Sequence, residues 1–217
     1  APVQSLLDQQ IEKNTAISNE GLSHPYGAEV GRTLLKSYGQ DIRTRAMAKA
    51  AAGSDARMGG CTLPVVINSG SGNQGMTVSL PVIEYARELG VPKEKLYRAL
   101  LVSNLLSIYQ KHYIGSLSAF CGAVTAACGS GAALTYLSGG DYAAICRTIT
   151  NTLANVGGIL CDGAKSSCAA KIASAVDAAI LAHHMSMNGD SFQPGEGIVL
   201  EDTENTIKNI GYVGRVG

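Results

Sequence analysis

Residues 116–137 read SLSAFCGAVTAACGSGAALTYL, a run with no acidic or basic side chain and with apolar or small residues on nearly every side of a helical wheel. A helix with one polar face can lie on a surface, but one that is apolar all round has to be enclosed by other elements. The run therefore predicts a buried central helix, and a central helix needs a bundle around it. Ser, Thr, Asn and Gly interrupt every apolar stretch before it reaches the roughly 18–20 residues of a membrane span, so no membrane partner is expected.

The rest of the chain also carries helical spacing. Val3, Leu6, Leu7 and Ile11 recur ahead of Gly21, and Asp41 is placed to cap a segment running to about Ala52. Further helices are expected over about 76–89, from Pro92 to about Tyr113, and from Asp141 through Ile145, Ile149, Leu153 and Val156. Gly157 and Gly158 loosen that last one near Cys161. Ser166 or Ser167 caps the next, which reaches about Met187, and a final helix covers about 201–212. Residues 63–67 are the one β-leaning run. The reading is an all-α, compact helical domain over residues 1–217, with about eight helices, buried central helices and Gly-rich loops. Glycine, at 26 of 217 residues, exceeds the roughly 7% of average usage, which predicts close helix packing or tight backbone approach to a bound group.

Charge excludes other classes of partner. Lys plus Arg and Asp plus Glu both number 17, and no basic stripe is long enough to follow a phosphate backbone, so nucleic acid is not expected. The start of the chain, without an initiator Met or a basic-then-apolar leader, reads as a piece of a longer protein. The six cysteines lie in Ala-rich helical sequence rather than in the loop-rich kind that disulfides staple, so reduced thiols in a cytoplasmic protein are expected.

The stretch CDGAKSSC puts Cys161 and Cys168 seven residues apart, the first at the end of one predicted helix and the second in the first turn of the next. Unpaired N–H groups and the helix dipole favour a thiolate there. No C-x-x-C pair and no histidine at zinc-finger spacing occurs, which argues against structural zinc. An iron–sulfur cluster, a large anionic body held by thiolates, fits better. Cysteines that act only as small buried hydrophobes are the alternative.

Three longer strings carry a family likeness: SDARMGGCTLPVVINSGSGNQGMTVSLPV, IGSLSAFCGAVTAACGSGAALTYLSGG and VGGILCDGAKSSCAAKIASAVDAAILA. They resemble the serine dehydratase alpha-chain family, and within it the L-cysteine desulfidase branch. The resemblance implies a helical catalytic domain holding a 4Fe-4S cluster by three cysteines, with the fourth iron open to substrate. Transferred by motif, the ligands are Cys121 in SAFCG, Cys161 in ILCDG and Cys168 in KSSCA. The implied reaction is a β-elimination on a small L-amino acid, L-cysteine to pyruvate, ammonia and sulfide, without pyridoxal phosphate. Serine-specific members are less similar in the last string, where their two cysteines stand farther apart. An L-serine ammonia-lyase, and a cluster-free helical binding or assembly module, are the rival readings. The resemblance also implies an N-terminal region, about as long again, that supplies a further cysteine, so this stretch alone is expected to be slow or inactive. A homodimer is compatible with the many apolar helix faces.

For the substrate carboxylate, the loop with Ser69, Gly70, Ser71 and Asn73 precedes a helix N-terminus and offers N–H groups, hydroxyls and an amide. Thr62 and Asn68 are lesser candidates. Lys111 and His112 are candidate bases because they shortly precede Cys121, and Cys61 is a third candidate for an active-site role from its GGCTLP motif. Cys128 and Cys146 read as core, His183 and His184 as solvent-exposed residues near a helix end, and His24 has no evident partner.

Overall fold

The structure is a computed structural model, and it describes residues 2–115 and 118–216. Among the described residues there are nine helices: α1 (Pro2–Ser23), α2 (Val30–Tyr38), α3 (Ile42–Met58), α4 (Gly72–Glu88), α5 (Lys93–Ile114), α6 (Gly122–Leu137), α7 (Tyr142–Val156), α8 (Cys168–Met187) and α9 (Thr203–Val216). The all-α expectation holds, and none of these helices is long and apolar enough to cross a membrane. The expected β-leaning run at 63–67 is extended but unpaired; the only bridges described are the isolated pairs Asn68 with Ser71 and Phe120 with Leu160.

The predicted central helix is α6, which packs against α4, α5, α7 and α8. All of its residues except Gly122 and Tyr136 are buried. It begins later than expected. Of the six residues that precede it in the apolar run, Ser116 and Leu117 lie outside the described residues, and 118–121 form a loop that ends on Cys121 as the N-cap. Small residues set the spacing between helices. A Cβ on Gly129 would stand 2.4 Å from the Ser103 carbonyl oxygen, and one on Gly21 would stand 2.0 Å from that of Ala52, so α6 meets α5, and α1 meets α3, backbone against side-chain-free backbone.

Side-chain caps fix α3 and α7 as the sequence predicts. Asp41 accepts from the Thr44 N–H at 3.0 Å, and Asp141 from the Ala144 N–H at 2.8 Å. Helix α2 was not expected, and its start shows why. Its N-cap, Glu29, is left-handed at φ 53 and makes no side-chain cap. The cap comes instead from α3, where the buried Asp55 carboxylate accepts from the Gly31 N–H at 2.9 Å.

The loop between α3 and α4 is anchored by α1. Asn14 donates to the carbonyls of Val66 and Gly75 and to Ser79 Oγ, and accepts from the Val66 N–H at 2.8 Å. Gln10 and Asn68 both bond Asn104 on α5. This amide network holds the Gly-rich loop, and hence the N-terminus of α4, at a fixed place on the bundle.

Candidate functional site

A pair of short loops brings two of the thiols together. Cys121 N–H donates to the Ile159 carbonyl at 2.8 Å and Cys161 N–H to the Ala119 carbonyl at 2.7 Å, flanking the antiparallel Phe120–Leu160 pair. Alternation along an extended backbone then puts Cys121 and Cys161 on one side of the pair, as diagonal neighbours. Cys161 is not the helix end that the sequence suggested: α7 stops at Val156, and Cys161 lies beyond it in an exposed loop. Cys168 opens α8 as its first residue. Its Sγ accepts from the Lys165 N–H at 3.4 Å and lies 3.5 Å from the Gly163 carbonyl oxygen. Ser167 precedes it as N-cap without a side-chain cap bond, so the serine cap expected there does not form.

Cys121, Cys161 and Cys168 line one cavity of about 220 Å³, together with Lys111 from α5 and with Ser71, Asn73 and Gln74 at the start of α4. Phe120 and Ile172 supply apolar wall. Burial pushes the Cys121 thiol up, while the Ala123 N–H at the start of α6 and the Lys171 ammonium oppose the shift. Burial moves the Lys111 amine the other way, below the ordinary lysine range, and the nearby Cys161 and Cys121 charges resist it. Lys171 stands one turn into α8, paired with Asp162, so a second cation borders the thiols. Among the described residues no three His, Cys, Asp or Glu side chains are grouped to hold a single metal ion. A cluster presents its metal atoms at separate corners and takes one thiolate at each.

The remaining expected residues fall elsewhere. Ser71 caps α4 with a long bond of 3.4 Å to the Gln74 N–H. Ser69, at φ 48, and Gly70, at φ 80, shape the turn but do not line the cavity. Ser69 Oγ donates to Asn68 Oδ1 at 2.8 Å, and Asn68 is used by the amide network. Thr62 is exposed, and His112 is exposed with its ring against Tyr113; neither lines the cavity. Cys61 is half-buried beside Tyr26 and also stands outside it. Cys128 is fully buried, with Sγ 3.9 Å from the Ile149 carbonyl oxygen, and Cys146 is half-buried. Two histidines depart from expectation. His183 is buried, not solvent-exposed, because its Nδ1 meets Thr135 Oγ1 at 2.9 Å in the α6–α8 interface, whereas His184 is exposed. His24 does have a partner, Glu20, at 3.0 Å one turn earlier on α1.

Gln74 and Lys171 were not singled out from sequence. Gln74 directly follows Asn73 in the Gly-rich segment, and Lys171 comes three residues after Cys168 on the same helix, so position offered a signal in both cases.

Fold and cavity together define an all-α domain that gathers three thiols, two lysines and a helix N-terminus around one pocket. The chain belongs to the serine dehydratase alpha-chain family, whose model matches residues 2–217. It is 63% identical over 215 residues to a UPF0597 protein of Desulfitobacterium hafniense, an alignment covering 99% of this chain and 50% of that protein. It is 60% identical over 215 residues to one of Lachnoclostridium phytofermentans, covering 99% and 52%, and 53% identical over 220 residues to one of Treponema denticola, covering 99% and 51%. The chain thus spans about half the length of these curated relatives.

Proposed function

We propose that this chain is the catalytic portion of an iron–sulfur lyase that releases ammonia from a small L-amino acid by β-elimination, with L-cysteine as the substrate and pyruvate, ammonia and sulfide as products. The observation that carries the reading is the shared cavity of Cys121, Cys161 and Cys168. Its donor set fits a 4Fe-4S cluster: three soft sulfur ligands, the Lys171 ammonium to balance an anionic body, and the N-termini of α6 and α8 beside two of the sulfurs. When bound, such a group supplies a Lewis-acidic corner for a departing thiol or hydroxyl.

The chain's own side chains account for the rest. The three cysteines would release their protons as they become ligands, and the Lys171 ammonium eases that loss. The start of α4 offers unpaired N–H groups to the substrate carboxylate, with the Ser71 hydroxyl beside them. Lys111 is the base in this reading, because burial favours its neutral amine inside the same cavity. Phe120 and Ile172 give the same cavity an apolar wall. His112 and Cys61 have no part in it, since neither lines the cavity. The second reading, L-serine ammonia-lyase, draws support from the family's description as serine dehydratase alpha chain. Free thiols at such a site suit a reducing compartment such as the cytoplasm.

Anaerobic reconstitution with iron and sulfide tests the proposal. Wild type is expected to gain a visible chromophore and bound iron, and Cys161→Ser to lose both while retaining helical circular dichroism. A folded wild type that takes up no iron, or a Cys161→Ser protein that retains as much, would sink it. On the full-length protein, sulfide release from cysteine against pyruvate release from serine separates the two substrates.

A further inference from the structure

The segment that carries two of the three thiols is exposed from Cys161 to Ser167, and helical order begins only at Cys168. Exposed loops with few buried contacts open at the lowest free-energy cost, yet a ligand set has to keep its spacing. The Cys161 end is fixed by the bond from its N–H to the Ala119 carbonyl. Beyond it, polar ties replace packing. The Lys165 N–H donates to Cys168 Sγ at 3.4 Å, and the Lys165 carbonyl accepts from the Cys168 N–H at 2.9 Å. Lys165 Nζ donates to the Asp162 carbonyl, and Gly163, at φ 91, takes the left-handed conformation that the turn requires. The longest tie is the ion pair of Asp162 with Lys171. It joins the residue after Cys161 to the helix face that carries Cys168, because Cys168 and Lys171 stand three residues apart on α8.

Charge alone does not explain Asp162. A carboxylate beside Cys161 opposes the gathering of further negative charge as thiols become thiolates, and it draws the Lys171 ammonium toward itself. For holding an anionic group, a neutral residue at 162 would be the better choice. What the carboxylate does supply is a connection between the two ends of the loop, and both lysines that bond this residue come from within the loop or from one turn beyond it.

We propose that Asp162 is a positioning residue: its ion pair with Lys171 sets the spacing of Cys161 and Cys168 for a shared cluster. This rests on the three-thiol cavity being the cluster site, and it gives Lys171 a role as an anchor beside its role as a charge.

Two measurements test it, the first without iron. In the reduced, iron-free 217-residue chain, amide exchange with water at Lys165 and Cys168, followed by NMR, is expected to speed up about threefold in Asp162→Asn and in Lys171→Gln, the scale of an exposed ion pair. Lys171→Arg, whose guanidinium still pairs with the carboxylate, is expected to exchange as wild type does. After anaerobic reconstitution, iron should leave Asp162→Asn at least about tenfold faster than wild type under a fixed excess of chelator, while Lys171→Arg retains it. The sign separates position from charge: were the pair important only for its charges, removing the carboxylate would leave iron held as firmly as in wild type or more so. An exposed pair adds little to global stability, so the variants are expected to keep their helical circular dichroism, and should one fail to fold, the other decides. Iron loss from Asp162→Asn no faster than from wild type, or amide exchange unchanged in the folded variants, overturns the proposal. A wild type that takes up no iron defeats the cluster reading instead, and the exchange rates still show whether the pair holds the loop.

Discussion

Two buried groups, one on α8 and one on α3, are expected to pull the pH dependence of stability in opposite directions. His183, enclosed between α6 and α8, is pushed from 6.5 down to about 4, chiefly by burial and secondarily by the neighbouring His184 charge. Between those values the unfolded chain holds a proton that the native chain does not, so stability rises with pH across that window and is lost as pH falls through it. Asp55, which caps α2 from α3, is pushed from 3.8 up to about 6 because burial outweighs the N–H groups of Gly31, Val30 and Ala28. There the native chain holds the extra proton, so stability falls as pH rises through the same region. Each shift amounts to roughly 3 kcal/mol at one pKa unit per ~1.4 kcal/mol, so in wild type the two largely offset each other. Urea unfolding followed by circular dichroism from pH 3.5 to 7.5 exposes them separately. Relative to wild type, Asp55→Asn should gain about 3 kcal/mol as pH rises through the window, and His183→Asn should lose about as much. Constant offsets from altered packing do not matter, because only the slopes of the difference curves are read. Two flat difference curves, or two of the same sign, would refute the assignment of these groups as buried and oppositely shifted.

Other outcomes follow from the site and its supports. Lys111→Gln should lower turnover of the reconstituted full-length protein at least about 100-fold, and Lys111→Arg should not restore it because a guanidinium stays charged. With burial holding the Lys111 amine below the ordinary range, wild-type turnover should rise with pH and level off before about pH 10.4, where a free lysine titrates; the same profile in Lys111→Gln would remove Lys111 as the base. Asn14→Ala deletes the bonds that tie the 63–71 loop and α4 to α1 and should cost about 2–4 kcal/mol in chemical denaturation; a loss under about 0.5 kcal/mol would mean the network is dispensable. Gly129→Ala forces a methyl group onto the Ser103 carbonyl and should lower stability by about 1–3 kcal/mol or more, read as a drop in Tm.

Local rules carried the helices that cap themselves. Asp41 and Asp141 announce α3 and α7 because the acceptor lies three residues from the donor, within reach of any reading of the chain. Helix α2 escaped because its cap comes from Asp55, and a contact across 24 residues leaves no mark on the segment Val30–Tyr38 itself. The start of α6 was misjudged for a related reason. Apolar composition cannot tell a helix from a buried loop, and what extends residues 118–121 is their pairing with 159–161, a partner about 40 residues away. That same pairing brings Cys121 alongside Cys161. Spacing alone left those thiols divided between ligands and core, and the family likeness picked out the three that share the cavity while Cys128 stays in the core. The exposure expected of His183 failed because its polar partner, Thr135, belongs to a helix read from sequence as apolar on nearly every side.

Close contact through glycine and alanine has a thermal corollary. The interiors of α3 and α6 bury methyl groups and peptide backbone where most bundles bury leucine and phenylalanine. Hydration of exposed apolar surface raises heat capacity on unfolding while exposed peptide groups lower it, so a core of this make-up melts with a small heat-capacity increment for its length. The free-energy curve of such a domain is broad and shallow, and its stability changes slowly with temperature on either side of the optimum.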